Sequence, residues 1–201
     1  MFSTKNFNRS KPYIFLLLLF PSLLWILQFI TGNLGVNPIE RIMDEFGLMA
    51  LRLIILTLMI SSIANIKALK SITTFRRMIG LFAFYYVSLH FSTYIFLDHF
   101  LDLQFIIKDI IKRPFITLGF ISFLFLIPLA VTSTNSMVKK LGFNLWKKLH
   151  YLIYPAAILS SMHFYMLVRA NKSEPAIYMG VIILLLLYRV SKKITPRQLA
   201  R

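Results

Sequence analysis

Apolar residues do not alternate along this chain; they come in unbroken runs. Six runs are long enough to weigh as membrane spans, at about 13–30, 46–64, 79–97, 115–131, 150–168 and 176–190. A helix crosses the hydrocarbon core with about 20 residues, within a range of about 17–25. The last run is short on strict apolar count, and its ends extend into Pro175 and Lys192. Only helices and closed barrels satisfy their backbone in lipid. Barrel strands alternate lipid-facing and lumen-facing residues, and these runs do not. The pattern therefore predicts an all-α bundle of six transmembrane helices. The first run follows Lys5, Arg9 and Lys11 and looks like a signal peptide. No small-residue cleavage site follows it and five further runs do, which predicts a retained helix. Connections are short, with no linker, repeat or extra-membrane domain visible, so 1–201 reads as a single transmembrane domain.

Composition agrees. The 201 residues are 58% hydrophobic, with mean hydropathy +0.72, against about 45–50% apolar residues in soluble domains. The net charge of +16 suggests nucleic acid until its distribution is considered. The basic residues form short clusters between the apolar runs, a pattern that sets membrane orientation, and no nucleic-acid partner is expected. With the N-terminus placed in the cytoplasm, 16 of the 23 basic residues fall inside, 6 outside and one, Arg52, within a span. All seven acids fall outside. Both termini are therefore expected to be cytoplasmic. The absence of cysteine excludes disulfides, thiolate haem ligation, covalent c-type haem attachment and cysteine-bound iron–sulfur clusters within this chain.

Candidate chemistry rests on histidine. An ionisable side chain inside a span is costly and marks a functional site by default. His90 lies in the third run, entered after Arg77, and His163 in the fifth, entered after Lys148. At 1.5 Å per residue they sit roughly 18 Å and 21 Å from the cytoplasmic side. Two neutral imidazoles at one level on neighbouring helices can hold a haem iron axially. A single histidine is better read as interhelical glue; the matched depth favours haem for this pair. His150, thirteen residues before His163, lies about 20 Å away in depth and on another face, so the two cannot share one iron. Arg76 and Arg77 lie at its level. An ideal helix returns to within about 40° of one face after fourteen residues but lands about 140° away after thirteen. Arg76 thus shares a face with His90. It is a candidate for the propionate or the iron of a second haem, with plain cytoplasmic anchoring as the competing reading. His99, beside Asp98 and Asp102, reads as a solvated helix end. Pro128 and Pro155 lie within spans, where each can kink its helix.

Taken in order, "NPIE" (37–40), "RRMIGLFAFYYVSLHFSTY" (76–94), "RPFITLGF" (113–120), "LAVTST" (129–134), and "LGFNLWKKLHYLIY" with "HFY" (141–165) cover most of the chain. Together they resemble the MsrQ (YedZ) family, the haem-binding membrane subunits of bacterial MsrPQ methionine-sulfoxide reductase systems. That family lies in the ferric-reductase-like transmembrane group, with the NADPH oxidase membrane domains. The resemblance implies b-type haem, one or two, with the family's histidines mapping onto His90, His150 and His163. It also implies the bacterial inner membrane, and electrons passed from quinone to MsrP, a periplasmic molybdopterin enzyme that repairs oxidised proteins. FMN is associated with the family, but no stretch here shows where a flavin would sit. His99 matches no histidine of the family pattern. Where the family usually ends the second span with Thr-Pro, this chain has Ser61 to Ala64, "SSIA".

The residues thus favour a haem-bearing electron carrier with no catalytic side chain of its own. A transporter or channel is disfavoured, because Arg52 has no acid partner in any span and no pair of broken helices marks inverted halves. Another b-type cytochrome or ferric-reductase-like oxidoreductase, and a plain assembly anchor, are the remaining readings.

Overall fold

The computed structural model describes residues 4–63 and 67–198, with side chains described for 9–63 and 71–192. The side chains of Lys5, Lys67, Lys70, Lys193, Arg197 and Arg201, counted in the charge asymmetry, lie outside the described residues, as does Ala64. The helices are α1 (Thr4–Ile30), α2 (Pro38–Ile63), α3 (Arg76–Thr93), α4 (Leu103–Lys112), α5 (Pro114–Val131), α6 (Asn135–Leu141), α7 (Phe143–Leu149), α8 (Ile153–Leu167) and α9 (Ser173–Gln198). No strand occurs among the described residues. A 3-10 segment, Lys67–Phe75, leads into α3, and a π-helical turn, Tyr94–Asp98, ends it.

Among the described residues, five segments are long and apolar enough to cross a membrane: Arg9–Ile30, Pro38–Ile63, Ser71–Asp98, Pro114–Val131 and Ser173–Lys192. The sixth expected span, 150–168, forms differently. His150–Leu152 is a 3-10 turn, and α8 that follows has 15 residues, below the usual crossing length. Pro155 explains the break. It lies in the first turn of α8, where a missing N–H costs nothing, and its ring crowds the carbonyl four residues back, that of Tyr151 in the 3-10 turn. It starts the helix rather than kinking it.

The sequence also hid three helices in its loops, α4, α6 and α7. Each is short, and a hydropathy window passes over them.

Burial ranks the helices. Half of the apolar window of α2 is buried, against 6% for α1, so α2 is the central post and α1 a lipid-facing stave. Ile42, Phe46, Ala50, Ile54 and Leu58 form the buried stripe of α2. Two hydroxyls tie α1 to α3. Tyr85 OH meets Ser22 Oγ at 3.1 Å, and Tyr86, fully buried, donates to Leu18 O at 2.6 Å and accepts from Ser22 N at 3.2 Å. Those two main-chain groups lie one helical turn apart. They sit beside Pro21, which removes one backbone donor from this turn. Elsewhere small residues bring helices close, as expected in lipid. Ala156 and Ala157 are fully buried, and Ser122 Oγ donates to Ala156 O at 2.8 Å, joining α5 to α8.

Candidate functional site

Two helix pairs carry the two mid-depth histidines. His90, near the end of α3, places Nδ1 2.8 Å from Met43 O on α2. His163, near the end of α8, places Nδ1 2.6 Å from Phe115 O on α5. A carbonyl only accepts, so each neutral ring carries its proton on Nδ1 and offers the Nε2 lone pair on its far side. The rings stand 6.3 Å apart at 78°.

Beneath each ring lies a glycine. A Cβ on Gly47 would stand 2.8 Å from His90 Nδ1, and one on Gly119 2.9 Å from His163 Nδ1. In both helices the glycine follows the accepting carbonyl by four residues, one helical turn. In both, the histidine follows the glycine by 43 or 44 residues. The two halves of the site are therefore the same device used twice: carbonyl, glycine one turn on, and a histidine laid over it from the next long helix. The sequence showed no repeat because the device has two fixed side chains and a backbone atom; the Gly-to-His spacing was its only signal.

The donor set bears on what the site holds. Among the described residues no three His, Cys, Asp or Glu gather as a metal cluster, so a bare ion would have two ligands only. Two imidazole–metal bonds of about 2.0–2.1 Å, laid end to end with the radii of both rings, span roughly 6.5 Å. The observed 6.3 Å fits one metal between the rings, with its remaining positions supplied by a group other than protein. Aromatic rings pack between α3 and α5, two of the helices that build the site. Phe91 packs on Phe123 at 4.8 Å and Phe120 at 5.7 Å, and Phe115 lies 6.3 Å from His163.

His150 sits apart from this pair, at the C-cap of α7 rather than within a span. Its Nδ1 meets Trp146 O at 3.0 Å, and its ring stacks on Trp146 at 4.0 Å. Trp146 Nε1 in turn donates to Thr132 O at 3.0 Å. Arg76 and Arg77 are its charged neighbours, and Arg189 joins them beside Arg76. Arg189, one of the basic residues counted on the inner side, is a crosslink. It donates to Tyr154 OH at 2.6 Å, Ser62 Oγ at 3.2 Å and Leu58 O at 3.2 Å, and lies over the Tyr154 ring. Cations gather here beside neutral acceptors alone, while the acids lie at the starts of α2 and α9, the end of α3 and on α4.

Arg52 has a partner after all. Its Nε donates to Tyr178 OH at 2.8 Å, and Glu174 approaches to 4.0 Å. Because α9 begins at Ser173, Glu174 lies in its first turn, upstream of the expected start at 176.

The solvated reading of His99 is corrected. Its Nε2 is buried without a hydrogen bond, 3.4 Å from Asp98 and 3.8 Å from Asp109. Left-handed backbone at Phe100 and Leu101 (φ 47° and 64°) turns the chain sharply, and α4 folds back over the histidine. Asp109 of α4, 7% exposed, accepts from Tyr94 OH at 3.0 Å and pairs with Arg113 Nε at 2.8 Å. Asp102 is instead the cap of α4, accepting from Phe105 N at 3.0 Å.

Comparison with known proteins now adds to the geometry. Residues 46–161 match the model of the ferric reductase like transmembrane component. A relative from Caulobacter vibrioides is 46% identical over 159 residues, covering 79% of this chain and 76% of the relative. One from Brucella anthropi is 44% identical over 160 residues, covering 80% and 72%. One from Herminiimonas arsenicoxydans is 42% identical over 183 residues, covering 90% and 84%. Each is named protein-methionine-sulfoxide reductase heme-binding subunit MsrQ. The chain belongs to the MsrQ family. It is a membrane protein of ferric-reductase-like type, and the matched region holds Gly47, Arg76, His90, Gly119 and His150, ending two residues before His163.

Proposed function

We propose that this chain is the haem b membrane subunit of a protein-methionine-sulfoxide reductase system. It takes electrons from the quinone pool and hands them to a periplasmic molybdopterin enzyme of the MsrP type. The observation that carries this reading is the doubled histidine cradle, with its rings 6.3 Å apart. The names of the relatives, haem-binding subunits of such a reductase, support it. Bound haem would supply a one-electron change at its iron. His90 and His163 would hold that iron through their Nε2 atoms. Hydrogen bonds to Met43 O and Phe115 O fix the tautomer of each ring and raise its basicity. At the other end of the bundle His150 would hold a second haem, with Arg76 and Arg189 at hand to pair with its carboxylates.

The charge asymmetry supports cytoplasmic termini in the bacterial inner membrane. The His90–His163 pair then lies toward the periplasm, on the side where the partner enzyme receives electrons.

The purified protein, from cells supplied with haem precursor, is expected to be red, with a Soret band that moves on dithionite reduction. A colourless preparation sinks the proposal. His90→Ala and His163→Ala are each expected to abolish the same low-spin signal, and unequal, additive losses break the pairing. In intact cells, sulfoxide reduction by the MsrP-type enzyme is expected to stop when this subunit is deleted; unchanged reduction overturns the assigned role.

A further inference from the structure

The helix α4, hidden from the hydropathy pattern, has three faces. Ile106 and Asp109 are buried against the bundle. Leu103, Ile107 and Ile111, at i, i+4 and i+8, form an apolar stripe, 63%, 58% and 74% exposed. Lys108 and Lys112, exposed, lie roughly 100° further round the helix. Phe100, 80% exposed at the left-handed turn, extends the apolar stripe.

Connectivity says what covers this stripe. The segments on either side, Ser71–Asp98 and Pro114–Val131, are both long and apolar enough to cross the membrane. Four residues link the first to α4, and Arg113 alone links α4 to the second. Arg113 is extended (φ −107°, ψ 101°), as a residue before proline must be, so the chain turns a corner there. Neither link is long enough to lift α4 far from the bilayer surface. The contacts of Asp109 with Tyr94 and Arg113 hold it against the bundle.

We infer that α4 is an in-plane helix of the bilayer interface, its Leu103–Ile107–Ile111 stripe seated among lipid acyl chains and its lysines at headgroup level. Helices built this way bury their apolar face about 5–10 Å into the headgroup–acyl boundary. Placement matters beyond anchoring. Thr117 Oγ1, one turn into α5, donates to Ile110 O of α4, and Phe115, whose carbonyl holds His163, lies between them. The lipid surface thus helps to position the helix end that orients that histidine.

The natural chain has no cysteine, so single-cysteine variants can be spin-labelled without background. The full chain is placed in nanodiscs of phosphatidylethanolamine and phosphatidylglycerol, without a partner protein. Labels at Leu103→Cys, Ile107→Cys and Ile111→Cys are expected to collide with oxygen several-fold more often than with a water-soluble nickel chelate. Labels at Lys108→Cys and Lys112→Cys are expected to show the reverse. Nickel-accessible labels along the apolar stripe overturn the inference. If that stripe becomes protected only when a soluble periplasmic partner is added, the surface is a protein dock and the inference also fails. Hydroxyl-radical footprinting of the unmodified chain in the same nanodiscs checks the result without substitution. Leu103, Ile107 and Ile111 are expected to escape oxidation, and their modification refutes lipid cover.

Discussion

The two ends of the bundle use histidine differently. At the acid-bearing end, His90 and His163 are held by main-chain carbonyls on separate helices, each over a glycine. At the other end, His150 is held within its own helix turn and by the face of Trp146, among arginines that meet only neutral acceptors. The first end is built for geometry: two rings, one gap, matched supports. The second is built for charge. Guanidinium groups beside no carboxylate suit an anionic ligand, and arginine is the residue best fitted to such pairing.

The largest effect is expected from the glycines. Gly47→Ala and Gly119→Ala put a methyl group 2.8–2.9 Å from a ring nitrogen, and each should displace its histidine. Losses of this kind around metal ligands run about 10–100-fold in affinity. Haem occupancy of the His90–His163 site, followed by low-spin electron paramagnetic resonance, should fall similarly in both variants. A loss in one alone would end the claim that the cradles are equivalent. Next comes His150→Ala, expected to halve the haem content while leaving the low-spin signal of the other end unchanged. Loss of both signals would show that the two ends are not separable.

Arg189→Gln removes bonds to three partners. Hydrogen bonds to charged groups are worth about 1.5–3 kcal/mol each, and with glutamine replacing part of the set a loss of about 2 kcal/mol in stability is expected. In thermal unfolding watched by haem absorbance, the signal that depends on His150 should disappear first. The smallest effect on the haem spectra belongs to neither end. Tyr86→Phe deletes one buried hydroxyl and should cost about 1–3 kcal/mol with both haem spectra unchanged. A spectral change there would show that α1 reaches the sites.

Much of this architecture could be read from the chain because bilayer thickness imposes a length. The long apolar runs became α1, α2, α3, α5 and α9, and depth counting brought His90 and His163 to one level. The failures have a common cause. Amphipathic α4 spans ten residues and carries lysines, so averaging over a membrane-length window erased it. His99 looked solvated because left-handed backbone at Phe100 and Leu101, residues that rarely adopt it, gave no warning that the chain folds back. The cradles escaped because their acceptors are carbonyl oxygens, which every residue has. Arg189 entered only the charge count, because a basic residue near a helix end satisfies the topology rule whether or not it also crosslinks three helices.

The hydroxyl of Tyr86 bears on how the protein is assembled. It meets two main-chain groups one helical turn apart on α1, Leu18 O and Ser22 N. Tyr86 lies some sixty residues further along the chain, so this contact closes only once α3 has packed beside α1. A side chain that bonds a neighbour's backbone at a fixed height admits one register, and the hydroxyl thereby limits how far α1 can slide along α3.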